Sequence, residues 1–396
     1  VLDVNERPTD IVLSSRSVPE NSPKGTLVSN ISVTDPDDKG PRGPWQNHTC
    51  RLLNPANTPF MINGTGNSLV VTGDLNYEKT KSYSVDIRCF DSGSPPLSVD
   101  KTVQISIIDV NEWPYDITLS NSEVAENVGI VTVGVLDTAD PDNDQTAVQT
   151  FIYSIVGSPG SVPFVIDHSV LNTTRSLDYE ANTAWSLVIK SADNEGLSTT
   201  KNFTIVVKNR NDPPTVISAS GPLSVNENSL SGEYIGTVTT ADQDVGQTHQ
   251  YQIVDVLAWG HNNMQRSSSS LRNLFDVESP SGRVTLQHPG LDYEQFANYT
   301  VTVNSTDSGL PSYSVAGSFV VSVNNINEKP QNISLTGNQV PENSREGTVV
   351  GSLSVYDPDN VHMPLQRFNC SVVDGGPFNV SIERIKGPLY PVIVHS

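Results

Sequence analysis

Asp109-Val110-Asn111-Glu112-Trp113-Pro114 has relatives at three other places in the chain: Asp3-Val4-Asn5-Glu6-Arg7-Pro8, Asn209-Arg210-Asn211-Asp212-Pro213-Pro214 and Asn325-Ile326-Asn327-Glu328-Lys329-Pro330. Each couples acidic and amide side chains to a proline. They follow alternating apolar runs that read as strands, such as Val103-Gln104-Ile105-Ser106-Ile107. The chain repeatedly finishes a strand, presents oxygen atoms, stiffens with proline and starts again.

Working outward from these stretches exposes an internal repeat. Pro19-Glu20-Asn21, Ala125-Glu126-Asn127, Asn226-Glu227-Asn228 and Pro341-Glu342-Asn343 recur about every 100 to 115 residues. Each precedes a paired acid: Asp35-Pro36-Asp37, Asp140-Pro141-Asp142, Asp242-Gln243-Asp244 and Asp357-Pro358-Asp359. Leu75-Asn76-Tyr77-Glu78, Leu177-Asp178-Tyr179-Glu180 and Leu291-Asp292-Tyr293-Glu294 come next, then Asp91, Asp193 and Asp307, each followed within three residues by glycine. Long amphipathic helical patterns are absent. Short strands between Gly, Pro, Asn, Asp and Ser clusters read as β-sandwiches.

A chain of 396 residues suggests three or four domains. Its net charge of −21 argues against nucleic acid, because little here would neutralise phosphates. Hydrophobic content is 36%, and mean hydropathy of −0.28 fits folded domains with modest cores. No apolar run of about 20 residues exists, so no membrane contact is expected within this segment. Val1-Leu2-Asp3-Val4 reads as a strand end rather than a signal peptide, so the chain is expected to belong to something longer. Asn-x-Ser/Thr sequons at Asn30, Asn47, Asn63, Asn172, Asn202, Asn298, Asn304, Asn332, Asn369 and Asn379 favour an extracellular or cell-surface glycoprotein.

As a set, these marks resemble the cadherin repeat, and the resemblance covers essentially the whole chain. It implies an all-β fold of tandem seven-stranded Greek-key β-sandwiches arranged end to end as a rod. The expected divisions are the end of a preceding repeat (1–6), repeats at 7–110, 111–210 and 211–326, and a partial repeat at 327–396. It further implies about three calcium ions at each complete junction. The first full junction would use Glu20, Glu78, Asn111, Glu112, Asp140, Asp142 and Asp193, with carbonyls near Val110 and Trp113. The second would use Glu126, Asp178, Glu180, Asn211, Asp212, Asp242, Asp244 and Asp307. The third would use Glu227, Asp292, Glu294, Asn327, Glu328, Asp357 and Asp359. Asn5, Glu6, Asp35, Asp37 and Asp91 would be the lower part of an earlier junction.

The residue chemistry points the same way. Calcium takes roughly 6–8 oxygen ligands, and neither thiol nor imidazole recurs at the marks, which argues against zinc or copper. Without metal, so many close carboxylates would repel, and the hinge would loosen. The chain departs from the family's DxNDNxP linker and LDxE motif. Asn76 stands where Asp is expected, so the first junction has one carboxylate fewer than the second and is expected to bind less well. Glu112 and Glu328 replace a linker Asp and shift the ligand by a methylene; Asn209 and Asn325 replace the linker's first Asp. Each linker is one residue shorter than that pattern before its proline, and Gln243 replaces the central Pro of a paired acid.

Aligning the repeats places Cys50 where Tyr153 and Tyr251 stand, and Cys89 where Ser191 and Ser305 stand. A large residue paired with a small one fits neighbouring strands of one sheet. A Cys50–Cys89 disulfide is expected, with two separate buried thiols as the alternative. Cys370 matches Cys50, and its partner is expected past Ser396.

The histidines (His48, His168, His249, His261, His288, His362 and His395) neither recur nor pair at metal spacing, and read as surface or loop residues. G-x-S-x-G, H-E-x-x-H and C-x-x-C are absent, so an enzyme is not expected. Leu2-Asp3-Val4 resembles an integrin-recognition tripeptide but reads better as a strand end. Leu257 to Asn273 reads as an exposed insertion, with Trp259 as a candidate contact residue; Trp185 reads as packing and Trp45 as a loop residue. The function implied is that of a calcium-dependent adhesion ectodomain segment, a fragment of a longer secreted or single-span membrane protein. Its partners would be other extracellular proteins, another copy of itself or a filament neighbour. The alternatives are a subunit of an extracellular filament or matrix, and a spacer in a larger receptor.

Overall fold

The computed structural model describes residues 4–39, 46–64, 67–143, 149–157, 162–261, 264–361, 368–373, 378–380 and 389–394. Trp45, His362, His395 and the Leu2-Asp3 pair lie outside these, as does the side chain of Asn379. The chain forms two compact units, Val1–Asn209 and Arg210–Ser396, and each is described by itself.

Strands dominate because the apolar period is two. In Ser82–Phe90, Val85, Ile87 and Cys89 are buried while Ser84 faces outward. The first sandwich has one sheet built from Asp10–Leu13, Leu27–Thr34, Ser68–Val71 and Phe60–Ile62 in that order. The other runs Ser17–Pro19, Ser98–Ile108, Ser82–Phe90, Thr49–Leu52. The leading strand is therefore split between sheets. Asp10–Leu13 pairs antiparallel with Leu27–Thr34, and Ser17–Pro19 pairs in parallel with Ser98–Ile108.

The second sandwich repeats this order, with Asp116–Leu119 in one sheet and Glu123–Ala125 parallel to Ser198–Lys208 in the other. In the second unit, Val216–Ser220 and Ser224–Asn226 divide likewise in the third sandwich. A four-stranded sheet of Asn332–Thr336, Val349–Tyr356, Leu389–Val394 and Phe378–Val380 follows. Each sandwich has its own core. Ile11, Leu69, Ile87 and Ile105 fill the first, Ile117, Leu171, Ile189 and Ile205 the second, and Ile235, Val256, Val301 and Val321 the third. Each such fully buried side chain stabilises its sandwich by about 1.5–3 kcal/mol.

Cys50 and Cys89 are register partners on adjacent strands and are joined by a disulfide. Tyr153 faces Ser191 and Tyr251 faces Ser305 in the same register, as the aligned repeats predict. The structure adds a third member. Thr138 hydrogen-bonds Tyr153 and Ser191 (2.9 and 2.7 Å), and Thr240 does the same with Tyr251 and Ser305 (3.2 and 2.7 Å). Val33 takes the threonine's place beside the disulfide.

The insertion after Leu257 is not a free loop. Its strand His249–Trp259 pairs with Gln265–Ser267, which widens that sheet to five strands, and Leu271 and Leu274 pack on the core. Trp259 is half-buried, and its indole N–H donates to Thr300 Oγ1 at 3.0 Å. Trp185 packs edge-to-face on Phe164.

The disulfide closes a sequence separation of 39, for which loop-closure entropy gives a stabilisation of about 4 kcal/mol. Replacing Cys50 and Cys89 with Ser should therefore lower the melting transition of the first sandwich alone. Adding a tyrosine at 50 and a threonine at 33, to rebuild the polar link of the other repeats, should recover part of the loss in calorimetric scans.

Candidate metal centre

At the first full junction Glu20 is the hub. It is 2% exposed, and its Oε2 accepts the backbone N–H of Tyr77 (2.8 Å) while Oε1 accepts that of Val110 (3.0 Å). Glu227 repeats this with Tyr293 (2.9 Å) and Ile326 (2.8 Å), and Glu126 accepts from Tyr179 (2.6 Å). The Asn after this Glu has a positive φ in every case: Asn21 56°, Asn127 59°, Asn228 56°, Asn343 61°. Asn tolerates this left-handed region better than most side chains.

The next turn is capped by its second residue. Asn76 Oδ1 accepts from Lys79 N–H (2.8 Å), as Asp178 does from Ala181 (2.9 Å) and Asp292 from Gln295 (2.9 Å). Asn76 thus keeps the turn and loses only the charge. Beyond the linker, Asp142 Oδ2 accepts Glu112 N–H at 2.6 Å, and Asp140 Oδ1 accepts Asp142 N–H at 3.0 Å. Asp193 accepts the N–H groups of Glu195, Gly196 and Leu197, and its Oδ2 takes Asn111 Nδ2–H at 3.0 Å. Burial alone would raise the Asp193 pKa, but these donors outweigh it and hold the carboxyl below its ordinary value.

Glu20, Glu78, Glu112 and Asp142 each bring one carboxylate oxygen within 4.8 Å of all the others. Unit charges at that spacing repel by roughly 3 kcal/mol per pair at an effective dielectric near 20. Burial, followed by the charges of Glu20, Glu112 and Asp142, pushes Glu78 up to about 6. Glu227, Glu294 and Asp359 form a like cluster in the second unit. There burial, then the charges of Glu227, Asp292 and Asp359, push Glu294 up to about 7. Glu328 N–H donates to Asp359 Oδ2 at 2.8 Å.

Buried oxygens without a partner among the described residues decide the fit to a metal. They are Glu78 Oε2, Glu112 Oε2, Asp140 Oδ2 and Asp142 Oδ1 at the first junction, and Glu294 Oε2, Asp357 Oδ2 and Asp359 Oδ1 at the third. Asp140 and Asp142 are 7% and 8% exposed. Buried unpaired carboxylate oxygens are costly unless a cation joins them. An all-oxygen donor set of this density suits calcium.

The two sides of the expected second junction belong to different units. On the first, Glu126, Asp178 and Glu180 converge, and Asn209 Nδ2–H donates to Glu180 Oε1 at 3.0 Å. On the second, Asp244 accepts Asp212 N–H at 2.6 Å, and Asn211 Nδ2–H donates to Asp307 at 3.1 Å. Asn5 meets Asp91 in the same way at 3.3 Å, and Glu6 N–H donates to Asp37 at 2.8 Å, with Asp35 Oδ1 accepting Asp37 N–H. A Cβ at Gly93 or Gly309 would collide with Asn5 or Asn211, which is why glycine follows Asp91 and Asp307. Asn327 Nδ2–H donates to the carbonyl of Glu328 at 3.2 Å.

Three glutamines escaped the reading of the sequence. Gln46, Gln149 and Gln247 each donate Nε2–H to the linker Asn Oδ1 (2.9, 3.2 and 2.5 Å). Each stands four residues before Cys50, Tyr153 or Tyr251, and that spacing was the available signal. Two histidines set aside as surface residues also approach the paired acids. His48 Nε2 lies 3.2 Å from Asp35 Oδ2 and His249 Nε2 2.9 Å from Asp242 Oδ2.

A family profile described as "Cadherin domain" matches residues 14–108 and 222–324, so this chain belongs to the cadherin family. It is 28% identical over 377 residues to mouse Protocadherin Fat 4, covering 91% of this chain and 7% of that protein. It is likewise 28% identical over 381 residues to human Cadherin EGF LAG seven-pass G-type receptor 3, covering 91% of the chain and 10% of the receptor. The chain thus spans a small part of these relatives. Among solved structures, mouse Cadherin-23 EC22-24 aligns with a TM-score of 0.57 and 23% identity, over 79% of this chain and 96% of that one, which shows the fold.

A carboxyl whose folded pKa exceeds the unfolded value of 4.5 favours the folded state below that pH, and the contribution is lost as pH rises through about 6 for Glu78 and about 7 for Glu294. Metal-stripped protein should therefore melt lower at about pH 8 than at about pH 5. Glu78→Gln should raise the melting temperature at the higher pH, read calorimetrically in metal-free buffer.

Proposed function

We propose that the junction residues bind calcium and that the segment serves calcium-dependent adhesion outside the cell. The convergence of Glu20, Glu78, Glu112 and Asp142 around buried unpaired oxygens carries this reading. Bound calcium supplies the positive charge that the crowded carboxylates lack. Glu20 and Glu78 belong to the sandwich before the linker, Glu112 to the linker itself, and Asp140, Asp142 and Asp193 to the sandwich after it. Holding all of them fixes the linker against both sandwiches within the first unit. Glu227, Glu294, Glu328, Asp357 and Asp359 do the same in the second unit, with about three ions at a complete junction.

Adhesion is favoured because the relatives in sequence are cadherins, whose repeats are ectodomain modules; the partner would be another extracellular protein or a second copy. No helix among the described residues is long and apolar enough to cross a membrane. Exposed Asn30, Asn47, Asn202, Asn332 and Asn369 are the sequons best placed to carry glycans.

Protease that cuts after Glu tests the hinge locally. In calcium the bonds following Glu112 and Glu328 should be protected, and chelation should speed their cleavage by about tenfold, equivalent to about 1.4 kcal/mol of local opening. Asp142→Ala should give fast cleavage after Glu112 even in calcium. Equal rates with and without calcium in the wild type would sink the reading.

A further inference from the structure

The linker acids Glu112 and Glu328 are longer by a methylene than the Asp212 that stands at the matching place in the other linker. A longer carboxylate has an extra torsion to fix before it can serve as a ligand. In both places the structure supplies a donor that fixes it. Asn21 Nδ2–H donates to Glu112 Oε1 at 2.8 Å, and Asn228 Nδ2–H donates to Glu328 Oε1 at 3.0 Å. The two contacts span sequence separations of 91 and 100 and lie in different compact units. At the first junction the arrangement leaves Glu112 Oε2 buried and unpaired, within the cluster that Glu20, Glu78 and Asp142 form.

We propose that Asn21 and Asn228 are positioning residues for the metal: each amide holds one oxygen of a long linker glutamate so that the other faces the carboxylate cluster. This rests on the calcium reading above. The positive φ of 56° at both positions does not account for the amide, because glycine would satisfy the backbone without it. The hydrogen bond is charge-assisted and lies exposed at the rim of the site, where an outer donor can orient a ligand. The Asn side chain itself is anchored by its backbone N–H, which donates to the carbonyl of Leu75 in the first repeat and of Leu291 in the third. Each of those leucines opens the turn that carries Glu78 or Glu294. The amide therefore ties the linker acid to the same turn that presents the opposing Glu.

Asn21→Gly tests this, since it keeps the left-handed backbone and removes only the amide. Terbium sensitised by Trp113, which adjoins Glu112 and is 63% exposed, reports the first junction, and calcium displaces it. The expected result is calcium binding about ten- to a hundredfold weaker in Asn21→Gly, with the melting temperature of the metal-free protein unchanged. In a Glu112→Asp background, where the shorter acid no longer reaches Asn21, the second substitution should cost no more. Asn228→Gly, read by calorimetry, repeats the test at the third junction and serves if Asn21→Gly does not fold. Unchanged affinity in a folded glycine variant, or an equal loss in the Glu112→Asp background, would overturn the inference while leaving the calcium reading intact. A wild-type protein that fails to bind calcium at all would overturn both.

Discussion

The buried carboxylate of Glu20, and of Glu126 and Glu227 after it, is the constraint on which each junction depends. Its two oxygens are already used by backbone N–H groups, one from the turn that presents Glu78 and one from the start of the linker at Val110. Three segments distant in sequence are thereby fixed at one point. A buried charge with two donors is stable only while both remain in place. The sandwiches supply that rigidity through their own cores, so the junction acids sit on firm supports although they repel one another. The folded protein carries an electrostatic conflict where its sandwiches end, and the conflict is confined to positions that a cation would relieve.

Much of this was legible in the sequence because it repeats. The period of two in runs such as Val103 to Ile107 gave strands, and the aligned repeats gave the Cys50–Cys89 pairing through the register that Tyr153 and Ser191 share. The acids were legible for the same reason: Glu20, Glu78 and Asp142 occupy recurring places, and the structure brings them together. Resemblance to the cadherin repeat told which residues to expect at one site, without telling which oxygen of each is free.

Beyond the recurring glutamines, what was missed involves contacts between stretches distant in sequence. Lys101 donates to Asp10 Oδ1 across the first sandwich and Lys201 to Asp116 Oδ1 across the second; the third has Gly317 packed against Ile217 instead. Nothing in any single stretch announces such an exchange. Likewise the insertion after Leu257 has polar, serine-rich content that reads as a loop. Yet His261 meets Tyr293 edge-to-face with ring centroids 4.8 Å apart and contacts its carbonyl at 2.7 Å, so the insertion braces the very turn that carries Glu294. Propensity yields there to a tertiary contact.

Counting carboxylates, finally, is an incomplete guide to how these junctions rank. Asn76 removes one negative charge from the first junction, which a count scores as a loss of affinity. Its consequence in the metal-free protein has the opposite sign. Burial is the main push on both Glu294, raised to about 7, and Glu78, raised to about 6; the charge of Asp292 adds to the push on Glu294, and the neutral Asn76 beside Glu78 brings no such charge. Affinity is the difference between the two states. An amide that lowers the metal's attraction also lowers the repulsion that the metal relieves, while its oxygen still caps the turn at 2.8 Å. Asn325 acts on the same balance from the linker, donating to Glu294 Oε1 at 2.8 Å where an aspartate would repel it. The replacements of acid by amide therefore trade charge for order. A site with fewer charges and better-held ligands need not be the weaker one.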